Sequence, residues 1–141
     1  MLIIASYGED GTPNAMNAAW GGVADRSRIA MYLSGGHKTV KNILKHGAFT
    51  VSMGDVEHLV ACDYVGIVSG NSVPDKVARA GFHVTKSEHV DAPVIDELPL
   101  DENGKLAVEK LHVITFDYAN HGYYVLGEKV ASAFEDGKKF K

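Results

Sequence analysis

The sequence predicts a mainly β domain, either a small barrel with short helical decorations or an α+β arrangement of the same elements. Three observations carry this. The β-prone runs are short and end in glycine-containing turns. Helical spacing of apolar residues occurs only in brief stretches between them. With 45% hydrophobic residues in 141 positions, the chain can bury one core, and no internal repeat or low-complexity linker divides it, so a single domain over residues 1–141 is expected.

Leu2 to Tyr7 reads as the first strand, turned by Gly8-Glu9-Asp10-Gly11 into a returning strand from Asn14 to Ala24. Arg28 to Leu33 alternates as a third strand and stops at Ser34-Gly35-Gly36. The period then changes. Val40, Ile43 and Leu44 take the i, i+3, i+4 spacing of a helix face between Thr39 and His46, with Gly47 placed as a C-terminal cap. Ala48 to Met53 is strand-like, and Asp55 can cap a helix lined by Val56, Leu59 and Val60. Val65 to Ser72 reads as loop, and Pro74-Asp75 starts a short helix that Gly81 ends. Phe82 to Val94 supplies one or two strands, Asp96 to Glu102 a solvated acidic loop, Lys105 to Leu111 a helical turn, Tyr123 to Leu126 a strand, and Gly137 to Lys141 a polar tail.

A formal net charge of −4 argues against a surface built mainly for nucleic acid or an anionic membrane. Every apolar run stops well short of the roughly 18 residues of a membrane span. The first residues, MLIIASYGEDG, lack the basic start and long apolar stretch of a secretory signal, so a cytoplasmic protein is expected. A lone cysteine, Cys62, allows no intrachain disulfide and suits a reducing compartment. Its apolar surroundings favour a buried, inert thiol over a nucleophile. Seven histidines include no His-x-His or His-Glu-x-x-His pattern, and the His58 and Cys62 pair has no further ligands nearby in sequence, so no metal site is expected.

Two segments can carry chemistry. Ser34-Gly35-Gly36-His37-Lys38-Thr39 leads a small-residue loop into a helix N-terminus, where backbone N–H groups, the helix dipole, a lysine and two hydroxyls make the parts of a phosphate cradle. It lacks the glycine spacing of a Walker A loop, and a plain capped surface helix with a basic first turn is the competing reading. Asn14-Ala15-Met16-Asn17-Ala18-Ala19-Trp20-Gly21-Gly22 sets amides and small side chains around the single tryptophan. Such a strand lets a flat ligand approach the backbone, although a core tryptophan in a bulged strand reads equally well.

The order of the blocks is more specific than either one. Gly11 through Gly22, then Ser34 through Thr39, then Ala61-Cys62-Asp63-Tyr64-Val65-Gly66-Ile67-Val68-Ser69-Gly70 with Pro74-Asp75-Lys76, resembles the flavin reductase-like and flavoredoxin-type family of FMN-binding split barrels. The run Asn120 to Val130, with Gly137-Lys138-Lys139, is similar to a subset of that family. The resemblance implies a split β-barrel with short helical decorations, incomplete by the segment preceding its first strand and by about two strands between Leu100 and Asp101. It implies FMN held by Asn14, Met16, Asn17, Ala18 and Trp20 along the ring and ribityl chain, by Ser34, His37, Lys38 and Thr39 at the phosphate, and by Ser69, Gly70 and Lys76 at the remaining edge. Asn17 stands where relatives commonly carry a threonine.

The same resemblance implies an oxidoreductase passing electrons from NAD(P)H to flavin or another acceptor, with no obligatory side-chain acid or base. A non-catalytic flavin-binding or electron-transfer protein and a cofactor-free remnant of the fold are the alternatives. A homodimer is expected, because missing strands leave a sheet edge to cover, and Tyr118 to Phe134 is the segment expected to reach across.

Overall fold

An apolar hairpin whose two faces pack against different partners organises the fold, seen in a computed structural model described for residues 1–25, 27–98 and 112–130. Strand β1 (Leu2–Tyr7) pairs antiparallel with β2 (Pro13–Ala18), placing Ile4 opposite Met16 and Ser6 opposite Asn14. The turn closes through Gly8 N–H donating to the Thr12 carbonyl at 2.8 Å, with Gly11 at φ +80°, a conformation that favours glycine. Later in the chain a β-strand spanning Thr50–Met53 joins the other edge of β1, so β1 is central in a three-stranded sheet.

Two further strands follow the hairpin directly, β3 (Gly21–Asp25) and β4 (Arg28–Met31), paired antiparallel with each other. The single returning strand expected from Asn14 to Ala24 is therefore two. Ala18 lies opposite Leu2, the first residue of β1, so the ladder has no partner beyond it, and Gly21 then pairs with Met31 instead. Helix α1 (Lys38–His46) comes next and ends in left-handed Gly47, whose N–H donates to the Ile43 carbonyl at 2.8 Å. The strand at Thr50–Met53 is β5, followed by α2 (Leu59–Ile67) and the one-turn α3 (Lys76–Arg79). Strands β6 (Val84–Lys86) and β7 (Pro93–Ile95) form a second hairpin, and β8 (Ile114–Asp117) and β9 (Gly122–Val125) a third. The architecture is mainly β with short helices, as expected, and among the described residues no sheet closes on itself.

Side-chain alternation divides the core in two. Ile3, Ala5 and Ala15 face Cys62 and Val65 of α2, Val77 of α3, and Phe82, Ile95 and Leu98. Leu2, Ile4, Met16 and Ala18 face the other way, against Met31, Leu33, Ile43, Val51 and Met53. Both helix faces expected from the sequence need correction. In α1 Ile43 packs on the core as expected, but the buried residues are Thr39 and Asn42, and Leu44 is 81% exposed. In α2 the buried residues are Cys62 and Val65, whereas Val56 precedes the helix and Val60 is 84% exposed. Helix α2 is apolar nearly all round, so spacing alone does not choose a face, and contact with the sheet does.

The start of α2 is set by Asp55, whose carboxylate accepts from the His58 backbone N–H and bonds its ring Nδ1, both at 2.9 Å. The helix then runs through Ile67, into the stretch from Val65 expected to be loop. Asp96 and Glu97 are also less free than a solvated loop implies. Asp96 accepts from the Thr85 hydroxyl at 2.9 Å, and Glu97 accepts from the His83 backbone N–H and pairs with its ring at 2.6 Å. Strand β8 has no counterpart in the sequence reading. Together with β9 it turns the described part of the segment from Tyr118 back onto its own chain, where the Tyr123 hydroxyl donates to Asp63 at 2.6 Å. The helical turn expected at Lys105 to Leu111, the junction of Leu100 and Asp101, and the tail lie outside the described residues.

The corrected face of α2 makes a direct prediction. Val65→Ala should destabilise the protein by roughly 2 kcal/mol through lost burial and the cavity left behind, while Val60→Ala should stay within about 0.5 kcal/mol. Urea denaturation of the two variants checks the pair, and equal losses would return the buried face to Val60.

Candidate functional site

Helix α1 is fastened to the β1–β2 hairpin by buried polar contacts beside the apolar packing of Ile43. Ser6 and Asn14 are cross-strand partners, and each meets a buried side chain of the helix. The Asn14 amide Nδ2 donates to Thr39 Oγ1 at 2.6 Å, and the Asn42 amide Nδ2 donates to Ser6 Oγ at 3.2 Å. These bonds let four polar side chains lie inside the protein without the cost of unmet hydrogen bonds. One atom is left over: the Asn14 carbonyl oxygen Oδ1 is buried and has no partner among the described residues.

The N-terminus of α1 opens beside this seam. His37 occupies the cap position with extended backbone and makes no side-chain capping bond, and the first turn holds no acidic residue. The first N–H groups and the positive helix end are thus uncapped by side chains, unlike the capped surface helix of the competing reading. Lys38 stands in that turn, and among the described residues it takes part in no ion pair.

The opposite wall comes from the end of α2 and the loop after it. Met16, His37, Lys38 and Thr39 on one side, with Val65 to Gly70 and Lys76 on the other, line a cavity of about 140 Å³. An adjoining cavity of about 230 Å³ shares Lys38 and Gly70 and adds Asp10, Thr12, Asn14, Asn71 and Pro74. Gly70 is where the walls meet, since a Cβ there would lie 2.1 Å from Asn14 Oδ1 and 3.2 Å from Lys38 Cγ. Asn71 ties the loops together by donating to the Gly36 carbonyl at 3.1 Å.

Lys76 is 3% exposed, yet its ammonium does not point free into the cavity it lines. Nζ donates to the carbonyls of Val65 at 2.8 Å and Val68 at 2.7 Å, at the C-terminal end of α2. Burial pushes its pKa down to about 8.

Other residues expected around one ligand are distributed differently. Asn14, Met16 and Ala18 alternate along one face of β2, but Ala18 lines a third, mainly apolar cavity of about 260 Å³, with Leu2, Gly21, Gly22, Ile29, Met53 and Phe116 among its walls. Asn17 points to the opposite face, packed against Gly66 of α2, and its Oδ1 is also buried without a partner among the described residues. Ser34 is exposed and engages α1 only through its carbonyl, which accepts from His37 N–H at 3.2 Å. Trp20 is no core residue: it is 56% exposed, its ring 5.0 Å from that of Tyr118.

Sequence reading did not single out Ser6, Asn42 and Asn71, and it placed Tyr118 only in a segment expected to reach across to a partner. A signal existed for Asn42, three residues after Thr39 and therefore on the same helix face. Cys62 is fully buried, and desolvation raises its thiol pKa to about 12, in keeping with an inert thiol. Among the described residues no helix is long and apolar enough to cross a membrane.

No family model and no curated protein matches the sequence. Solved structures do. The flavoredoxin of Desulfovibrio vulgaris (Miyazaki F) is 30% identical and superposes with a TM-score of 0.88 over 97% of this chain and 91% of that one. A flavoredoxin from Methanosarcina acetivorans, 19% identical, reaches a TM-score of 0.85 over 99% of this chain and 91% of that one. An FMN-binding domain of a flavin reductase-like enzyme from Shewanella baltica OS155, 16% identical, reaches 0.79 over 93% and 87%. The last two show likeness of fold alone, whereas the first combines fold with sequence.

The state of Lys76 makes the site's pH prediction. Its folded pKa of about 8 lies below the ordinary lysine value of roughly 10.4, so the unfolded chain holds that proton more tightly. Stability of the native protein relative to Lys76→Met should be flat below about pH 8 and rise between about pH 8 and pH 10.4. Paired urea melts at pH 7 and pH 10 check this, and a relative fall across that interval would reverse the assignment.

Proposed function

We infer, from the premise that this chain belongs to the flavoredoxin and flavin reductase-like split-barrel family, that it binds FMN noncovalently and serves in flavin-dependent electron transfer. The observation that carries the reading is the uncapped N-terminus of α1, opening on a polar cavity beside Lys38 and the buried Asn14 Oδ1, the first without an ion-pair partner and the second without a hydrogen-bond partner among the described residues.

The residues present fit the cofactor. A phosphate suits the open N–H groups of α1, the Lys38 ammonium and the Thr39 hydroxyl, whose oxygen accepts from Asn14 while its own proton stays available. The Asn14 Oδ1 acceptor suits a ribityl hydroxyl. Asn14, Met16 and Ala18 lead along β2 from the polar cavities to the apolar one, about 13 Å at the usual rise of a strand. A molecule with a charged end and a flat apolar end matches that gradient. Trp20 follows Ala19 and Tyr118 comes two residues after Phe116, and Ala19 and Phe116 both line the cavity, so the aromatic pair is close enough in the chain to shield a ring edge from water. When bound, the flavin supplies the redox chemistry, with a reduced nicotinamide proposed as donor and a free flavin or a protein as acceptor. The protein's part is to bind, orient and exclude water.

We further propose a cytoplasmic homodimer. Val23, Ile29, Tyr118, Tyr124 and Val125 expose large apolar surface on the β3–β4 and β8–β9 hairpins, and a second copy is a fitting cover. Light scattering across a dilution series should show a dimer that dissociates only at low concentration; a folded monomer that binds FMN at every concentration would refute this.

Lys38→Met should weaken FMN about 10- to 100-fold, the value of a charge-assisted hydrogen bond, and leave riboflavin, which has no phosphate, within about twofold. Fluorescence titration with both ligands checks this, and equal losses would place the phosphate elsewhere. Anaerobic addition of NADH or NADPH to the FMN-loaded protein should then bleach the flavin band. No bleaching with either donor would leave an electron carrier without nicotinamide oxidation.

A further inference from the structure

Lys76 reaches backward from α3 to the helix before it. Its ammonium is shut away from water, where a charge persists only if acceptors replace its hydration, and the Val65 and Val68 carbonyls do so at 2.8 and 2.7 Å. Both carbonyls lie at the C-terminal end of α2, the end that attracts a cation. At Val68 the backbone leaves the helix for an extended conformation, φ −102° and ψ 128°, so the lysine grips the chain where its exit direction is set.

Two residues further on is Gly70, seated so closely on Asn14 that no side chain fits between them. Next comes Asn71, which bonds the loop leading into α1. A small change in the direction of the chain at Val68 is therefore passed to the contact of Gly70 with Asn14 and Lys38, the shared wall of both polar cavities.

We infer that Lys76 is a positioning residue: by holding the Val65 and Val68 carbonyls it fixes the Val68 to Asn71 wall against Asn14 and Lys38, and it does not itself pair with a ligand phosphate. The inference rests on the flavin reading for its effect on affinity, but its effect on the wall is independent of any ligand. A phosphate partner and a wall support differ in what their loss does. Losing the partner harms FMN alone, while losing the support harms FMN and riboflavin by the same factor.

The test uses Lys76→Met in the full chain. In ligand-free protein, amide hydrogen exchange should quicken about tenfold or more at Asn71, Ser72 and Val73, whose N–H groups now bond Ser69, and stay unchanged at Ile3 and Ile4 in the core strand. FMN and riboflavin affinities should fall by equal factors. Lys76→Gln, which retains an N–H donor, should recover part of both effects, and it takes the place of the methionine variant if that one does not fold. Unchanged exchange at Asn71 to Val73, a uniform rise across the molecule, or a loss confined to FMN would each overturn the inference. Wild-type protein binding neither flavin would overturn the proposed function instead, and the exchange measurement would still decide the role of Lys76.

Discussion

The site depends on one contact, the hydrogen bond from Asn14 to Thr39 inside the seam between the β1–β2 hairpin and α1. A helix docked only through leucines could slide or turn on the sheet with little penalty, because apolar attraction has no direction. Two amide-to-hydroxyl bonds, one at each of two positions three residues apart on the helix, allow a single height and rotation. With the helix so fixed, its N-terminus, Lys38 and the unpaired oxygen of Asn14 are aimed at the same space. Among the described residues the other wall has no comparable bond to this seam. It is brought in by close packing of Gly70 and by the bond of Asn71 to Gly36.

Much of the local structure was legible because its signals are local. The first strand, its glycine turn and the helix closed by Gly47 follow from composition and spacing over a few residues. The helix faces were not legible. In α1 the buried face is polar, so a search for apolar periodicity turned the helix toward Leu44, and in α2 nearly every position is apolar, so periodicity carried no information. The break after Ala18 depends on where the neighbouring strand begins, which is a fact of pairing and not of composition. Strand β8 escaped notice because Ile114 to Asp117 is only four residues long and the paired strand lies after the turn at Asp117 to His121.

For the site, the sequence named residues that the fold brings together but could not sort them by face. The small-residue entry to α1 and the Ser69-Gly70 block lie 30 and more residues apart, and only their resemblance to an ordered set of motifs joined them. Met16, His37, Lys38, Thr39, Ser69, Gly70 and Lys76 do line one cavity. Asn17 lies apart from Met16 and Ala18 because strand alternation sends it toward α2, which a motif read as one block does not distinguish. Lys76 illustrates a subtler limit. Its position in the cavity wall follows the motif, but the two carbonyls that claim its charge belong to a helix whose length the sequence reading cut short.

Trp20 is the chain's sole indole, half exposed and tilted over Tyr118, and its chain neighbours Ala19 and Gly21 both line the apolar cavity. Its emission therefore comes from one location and one environment, without the averaging that several tryptophans impose. A ring system arriving in that cavity would enter within energy-transfer distance of a lone fluorophore, and a second copy covering the β3–β4 hairpin would change the polarity around it. The residue thus gives the protein an internal optical gauge, native to the sequence, that reads the region just past β2 separately from the buried seam near its start.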